Sequence, residues 1–112
     1  MHSLKEALKD QILVFDGGMG TMLQSYRLEE VDYRGELLKN NSLDLKGNND
    51  ILSLTRPDLV AQVHELFIEA GANLLETNTF NANSISQLDY GTDNLVYDMN
   101  RSSAEIAKKV VK

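Results

Sequence analysis

ILVFDGGMGTMLQ, residues 12–24, is the stretch from which the expected fold follows. Its first four residues form a continuous apolar run, which is typical of a strand that is covered on both faces in a parallel sheet. The run ends on Asp16, and three glycines follow within the next four positions. One or two helical turns are predicted at 21–26. This order suits a backbone that approaches a small polar ligand, but it also suits a simple tight turn.

The rest of the chain alternates between helix and strand patterns. Ser3 and Glu6 have the spacing of a capping box, which predicts a short first helix. Pro57 opens a helix whose apolar residues recur at helical spacing up to Gly71. A second strand with a polar end is predicted at 74–79, and two more helices are predicted at 83–90 and from about 95 to the chain end. The polar segment 27–50 is predicted as a long irregular connection.

The order strand, helix, strand, helix predicts an α/β fold with a parallel sheet. Two strands cannot form a parallel sheet that covers both its faces. Residues 1–112 are therefore expected to be one truncated domain, the N-terminal part of a larger one.

Composition narrows the possible functions. Seventeen acidic and eleven basic residues give a formal net charge of −6, and no basic stripe stands out. Nucleic acids and membranes are therefore not expected as partners. The sequence has no cysteine, so it contains no disulfide, thiol nucleophile or thiolate metal site. No signal peptide or spanning segment is recognisable, which predicts a cytoplasmic protein.

Both predicted strands end in polar residues, and ligands of parallel α/β folds bind at that edge of the sheet. Asp16 suits an ammonium group, and the amides of Gly17 and Gly18 suit a carboxylate. Together they would hold the two ends of an α-amino acid. The alternative is that the glycines form only a turn and that residues 76–79 are only a strand end tied by side-chain hydrogen bonds. The spacing matches neither a dinucleotide fingerprint nor a P-loop.

Three other features are open to simpler explanations. Segment 44–50 is rich in oxygen ligands, but Lys46 occupies a ligand position of a calcium loop, so a structured loop is predicted. His64 lacks the second histidine of a zinc motif and is predicted to lie at the surface or the flank of its helix. Met19 and Met22 line a pocket or fill the core.

Five stretches in series carry a family resemblance: LVFDGGMGTMLQ, SYRLEEVDYRGE, LKGNNDIL, EAGANLLETNTFNANS and DYGTDNLVYDMNRSSAEIAKK. Together they resemble the homocysteine S-methyltransferase family, and within it the N-terminal region of the cobalamin-dependent methionine synthases. The resemblance covers essentially all of residues 8–112. It implies a (β/α)8 TIM barrel, of which this chain would form the first two βα units and remain incomplete.

The resemblance also implies site residues and a reaction. In the family, the aspartate of the D-G-G motif holds the amino group of homocysteine and the following amides receive its carboxylate. The substrate-binding residues implied here are Asp16, Gly17, Gly18, Met19, Glu76, Thr77, Asn78 and Thr79. The methyl group would come from methylcobalamin, remade from 5-methyltetrahydrofolate by later domains, and the product would be methionine.

Zinc held by three later cysteines activates the homocysteine sulfur in this family. Because the chain has no cysteine, it is expected to contain no metal site and no catalytic residue, and to be inactive alone. One alternative is a homocysteine methyltransferase that uses betaine or S-methylmethionine. Another is a non-catalytic amino-acid-binding module. The truncated chain is expected to self-associate, because it would leave sheet edges and helix faces uncovered.

Overall fold

The computed structural model of the protein describes residues 3–111 and is predominantly helical. Its α-helices are α1 Leu4–Asp10, α2 Met19–Gln24, α3 Glu30–Arg34, α4 Leu52–Thr55, α5 Pro57–Glu69, α6 Ser84–Gln87 and α7 Val96–Val111. Short 3₁₀ helices lie at Asn49–Ile51, Leu88–Tyr90 and Asp93–Leu95. None of the helices within residues 3–111 combines the length and the apolar character that a bilayer crossing demands.

The predicted α/β fold is wrong. No β-strand forms within residues 3–111, so the chain does not contain the first two βα units of a TIM barrel. The two segments predicted as strands do lie side by side, but they share only one parallel bridge, between Phe15 and Leu74. The Asp16 amide donates to the Leu74 carbonyl at 2.9 Å, and the Asn73 amide donates to the Val14 carbonyl at 2.8 Å.

Burial explains why the strand prediction failed. The apolar run was expected to be covered on both faces, yet Ile12 is 89% exposed, Val14 53% and Phe15 58%. A continuous apolar run extends into a sheet only where other elements pair with it and cover it. The sequence pattern identified two segments that contact each other. The described residues contain no further strands that pair with these segments and no elements that cover both their faces.

The core lies among α4, α5 and α7, which all contact one another. The apolar stripe predicted for α5 is buried at Leu59, Val60 and Val63. Met99 contributes the buried apolar side chain of α7. The complete buried apolar cluster comprises Leu23, Tyr33, Leu45, Ile51, Leu52, Leu59, Val60, Val63 and Met99.

The boundaries of α5 confirm the sequence signals. Pro57 is the first helical residue, and Gly71 has a positive φ of 111° just beyond the last turn. The Gly71 amide donates to Ile68 and the Ala72 amide donates to Phe67, both at 3.0 Å. This pair of bonds is a Schellman motif, which satisfies carbonyls that the helix end leaves free.

The first and last helices are also present where predicted. The Ser3 hydroxyl accepts a hydrogen bond from the Glu6 amide at 3.2 Å and so caps α1. α1 itself has no buried residue. α7 continues to Val111, and Lys112 lies outside the described residues.

The long connection 27–50 contains α3 and is held by ion pairs and backbone bonds. The Glu30 carboxylate accepts hydrogen bonds from the amides of Leu45 and Lys46, at 2.7 and 2.8 Å, and from Arg34 Nε at 2.7 Å. Burial opposes ionisation of Glu30, but these bonds hold its pKa below the ordinary value. The Arg34 guanidinium also donates to the Asn41 carbonyl at 2.7 Å. Segment 44–50 is thereby held in place as a structured loop, as predicted.

Candidate functional site

An open cleft of about 730 Å³ lies where three parts of the chain meet. They are residues 16–20, the loop residues Gly47, Asn49 and Asp50, and residues 76–81. The eight residues nominated from the sequence all line it: Asp16, Gly17, Gly18, Met19, Glu76, Thr77, Asn78 and Thr79. The structure thus brings both predicted groups together, although neither stands at the end of a strand.

Asp16 is fixed against the wall formed by residues 76–81. Its two carboxylate oxygens lie 3.3 and 3.2 Å from the Glu76 amide nitrogen, which donates to them. The Asp16 amide bonds to Leu74, so backbone and side chain are both anchored. No lysine, arginine or histidine pairs with this carboxylate within the described residues. A positively charged group of a ligand can therefore approach the Asp16 carboxylate without displacing a protein cation.

The glycines are needed for space rather than for an unusual backbone, because none of the three has a positive φ. A Cβ on Gly17 would stand 2.9 Å from the Phe67 ring, closer than real side chains approach. A Cβ on Gly18 would meet the Thr21 hydroxyl at 3.3 Å. Gly18 is also the N-cap of α2.

Backbone donors face no protein acceptor at this turn. Among residues 3–111, no carbonyl or side chain accepts a hydrogen bond from the amides of Gly17, Gly18 or Met19. The first amides of a helix have no intrahelical partner and must find one elsewhere. This turn therefore offers N–H donors to an anionic group.

Three polar residues of the cleft were not predicted from the sequence: Asn49, Asp50 and Asn81. Asp50 is buried, and its carboxylate accepts a hydrogen bond from the Asn81 amide at 2.8 Å. Burial raises the pKa of Asp50, and the bond from Asn81 opposes that rise. Asn49 accepts a hydrogen bond from the Tyr33 hydroxyl at 3.1 Å through its side chain. For Asn49 and Asp50, the only available signal was the oxygen-rich composition of segment 44–50, which we interpreted as a loop alone.

A buried amide pair fastens this loop to α6. Asn48 and Gln87 donate to each other through their side chains, at 2.9 and 3.0 Å. Gln87 also donates to the Asn81 carbonyl at 3.1 Å and accepts from the Thr92 hydroxyl at 2.6 Å. Because one glutamine bonds to both walls, the distance between those walls is constrained at this end of the cleft.

His64 was predicted to lie at the surface or the flank of its helix, and this is wrong. Its side chain is fully buried, and neither ring nitrogen has a hydrogen-bond partner. Burial lowers the pKa of His64, although the negative charge of Asp16 opposes this. His64 does not line the cleft. It is a core residue that carries two unsatisfied nitrogens.

The charges of the cleft favour one kind of ligand. Three acidic side chains line it, Asp16, Asp50 and Glu76, and no basic residue does. These carboxylates accept hydrogen bonds and attract positive charge. The turn at 17–19 offers its free amide donors to the same cleft. An acceptor-rich wall beside a donor turn complements the ammonium and carboxylate groups of an α-amino acid.

Comparison with protein families decides the family of the chain. The family model described as homocysteine S-methyltransferase matches residues 13–112. This chain belongs to the homocysteine S-methyltransferase family. It is therefore a member of a methyltransferase family, which supports a role in methyl transfer to homocysteine. The matched residues include the entire lining of the cleft.

The residues present do not fit a zinc site. Within the described part of this family member, no three histidine, cysteine, aspartate or glutamate side chains cluster closely enough to hold a metal ion. The sequence also lacks the cysteines that suit zinc. No step of a reaction is therefore assigned to zinc on these residues.

Proposed function

We propose that the cleft binds L-homocysteine and serves as the methyl-acceptor site of a methionine-forming methyltransferase. One observation carries this proposal. The Asp16 carboxylate, which has no cationic partner among the described residues, and the free amides of Gly17, Gly18 and Met19 line one cleft. The first group suits the ammonium of an α-amino acid, and the second suits its carboxylate.

The apolar part of the lining suits the rest of the substrate. Met19 and Phe80 line the same cleft as the charged groups. Thioether and aromatic side chains make favourable contacts with methylene groups and with sulfur. In the proposed complex they contact the side chain of homocysteine while the polar groups hold its α-carbon substituents.

We further propose that the full reaction is that of a cobalamin-dependent methionine synthase. The stretch LKGNND and the long connection after SYRL support this choice over relatives that use betaine or S-methylmethionine. Methylcobalamin would supply the methyl group, 5-methyltetrahydrofolate would restore it, and zinc would activate the homocysteine sulfur. All three would be bound by residues other than these.

A ligand titration followed by NMR tests the binding site. L-homocysteine is added to the ¹⁵N-labelled protein, and the amide signals of residues 16–20 and 76–79 are followed. We expect binding near the millimolar range, worth roughly 4 kcal/mol, because the cleft is open. Two analogues define the recognition: 4-mercaptobutyrate lacks the amino group, and 3-aminopropanethiol lacks the carboxylate. Equal binding of homocysteine and both analogues would contradict the proposal.

The Asp16→Asn variant tests the ammonium contact directly. The amide keeps the size of the side chain and one acceptor oxygen but removes the charge. We expect the affinity for homocysteine to fall by about 1.5–3 kcal/mol, because a charge-assisted hydrogen bond is lost. Binding of 3-aminopropanethiol should fall in parallel, whereas binding of 4-mercaptobutyrate should not fall. Asp89→Asn, at an exposed position outside the cleft, is the matched control.

A further inference from the structure

Asn78 is the most deeply buried of the predicted site side chains, with 5% of its surface exposed. Both hydrogens of its side-chain amide have acceptors. Nδ2 donates to the Asn49 carbonyl at 2.9 Å and to the Ser53 hydroxyl at 3.2 Å. The amide nitrogen is therefore fully used inside the protein.

The remaining polar atom of this side chain is Oδ1. No group within residues 3–111 donates a hydrogen bond to it, yet it is not among the fully buried atoms without a partner. Asn78 lines the cleft. Turning the amide over would place Oδ1 against the Asn49 carbonyl, and two acceptors repel each other. The amide thus presents an acceptor, and not a donor, to a ligand.

Ser103 on α7 completes the arrangement from outside the cleft. Its hydroxyl lies 2.6 Å from the Ser53 hydroxyl and donates to the Asn78 carbonyl at 3.2 Å. Ser53 and Ser103 are both buried. Ser103 is not a lining residue. It therefore contacts Asn78 twice, once directly through the backbone and once through Ser53.

We propose that Ser103, acting with Ser53, is a positioning residue that holds Asn78 Oδ1 toward the ammonium group of the bound amino acid. The inference rests on the proposed homocysteine site and adds a second ammonium acceptor beside Asp16. It also assigns α7 a part in ligand recognition, although the cleft lining includes no residue of that helix. A purely structural serine pair would join α4 to α7 without any effect on which ligand binds.

The first measurement needs no ligand. The side-chain amide hydrogens of Asn78 are followed by NMR in the parent protein, in Ser103→Ala, in Ser103→Thr and in Ser102→Ala. Ser103→Ala removes the hydroxyl and should shift these signals and speed their hydrogen exchange. Ser103→Thr keeps the hydroxyl and should restore the parent behaviour, and the neighbouring Ser102→Ala should leave it unchanged. Unaltered Asn78 signals in Ser103→Ala would overturn the proposal.

The second measurement is the ratio of affinities for L-homocysteine and 4-mercaptobutyrate. Because only homocysteine carries the ammonium group, Ser103→Ala should lower this ratio by about three- to tenfold, the value of one hydrogen bond. Ser103→Thr should return the ratio to that of the parent. An equal loss for both ligands would show that Ser103 acts only on structure, and would overturn the proposal.

The two measurements distinguish a failure of the proposed homocysteine site from a failure of the proposed role of Ser103. If the parent protein does not distinguish the two ligands, the proposed homocysteine site fails, while the Asn78 signals still test the positioning by Ser103. If Ser103→Ala does not fold, Ser53→Ala opens the same network from the other side. It should then disturb the Asn78 signals and lower the ratio in the same way, and normal values of both would overturn the proposal.

Discussion

At the scale of single residues, Asp50 and His64 are buried without an ion pair to either side chain among the described residues. Asp50 has one backbone hydrogen bond, and His64 has none. Burial in both cases favours the neutral form, so the pKa of Asp50 is raised and that of His64 is lowered. Their contributions to stability therefore change with pH in opposite directions.

His64 leads to a prediction about pH. Because its pKa is lower in the folded than in the unfolded state, the unfolded state binds the extra proton as the pH falls below about 6.5. The free energy of unfolding should be constant above that pH and decrease below it, with a slope of at most about 1.4 kcal/mol per pH unit. Urea unfolding between pH 5 and 7.5 measures this.

The His64→Phe variant is the comparison for that experiment. It keeps an aromatic ring in the core and removes the titrating nitrogens. The difference in unfolding free energy between parent and variant should shift in favour of the parent as the pH rises from 5 to 7. Asp50 titrates in both proteins, so its opposite contribution cancels in the difference. A difference that does not change with pH would contradict the lowered pKa.

At the scale of elements, α7 supplies a buried methionine to the core and leaves a large aromatic residue in solvent. Met99 is fully buried among α4, α5 and α7, whereas Tyr97 is exposed on the same helix. We expect Met99→Ala to lower the free energy of unfolding by about 2–5 kcal/mol, since it removes apolar contacts and leaves a cavity. Tyr97→Ala should change it by about 0.5 kcal/mol or less. Chemical denaturation of both variants is the measurement, and equal effects would contradict this packing.

The elements also show what the sequence could predict. The helix α5 was predictable because its signals are local: Pro57 at the start, an apolar stripe at helical spacing, and Gly71 past the end. The two strands were not, because pairing and burial depend on which other segments cover them. Leu74 meets Phe15 across nearly sixty positions, and a single bridge is all that these residues form.

In the site, too, features with local sequence signals were predictable, and features that depend on tertiary contacts were not. Asp16 and its glycines were predictable because a charge followed by small residues is a local signal for backbone exposed to a ligand. The segment 76–79 was found because polar residues end an apolar run. Asp50 and Asn49 were missed, since they reach the cleft only after the loop folds back onto α6 through Asn48 and Gln87. The spacing of residues along the sequence does not indicate this contact between the loop and α6.

At the scale of the whole molecule, many large apolar side chains are exposed to solvent. The described chain measures 51 × 26 × 19 Å, and its radius of gyration of 15.2 Å exceeds the roughly 13 Å expected for a compact domain of this length. The exposed large apolar residues include Ile12, Phe15, Phe80, Ile85 and Tyr97. Exposed apolar surface of this kind promotes association.

We therefore predict that the protein self-associates as its concentration rises. Sedimentation velocity across a hundredfold range of concentration should show an increasing average mass. Phe15→Ser should weaken the association, because it removes a large apolar ring that is exposed to solvent. Val31→Ser, which removes a single exposed apolar residue on α3, is the control. A monomer at every concentration would contradict the prediction.

The absence of buried residues in α1 has a practical consequence. A helix of seven residues is marginal in water unless packing supports it, and α1 receives no such support. Its amides should exchange with solvent far sooner than those of α5, and trypsin should cut after Lys5 and Lys9 while the remainder stays folded. An affinity tag or a fluorophore can therefore be attached at this end of the chain without disturbing the cleft.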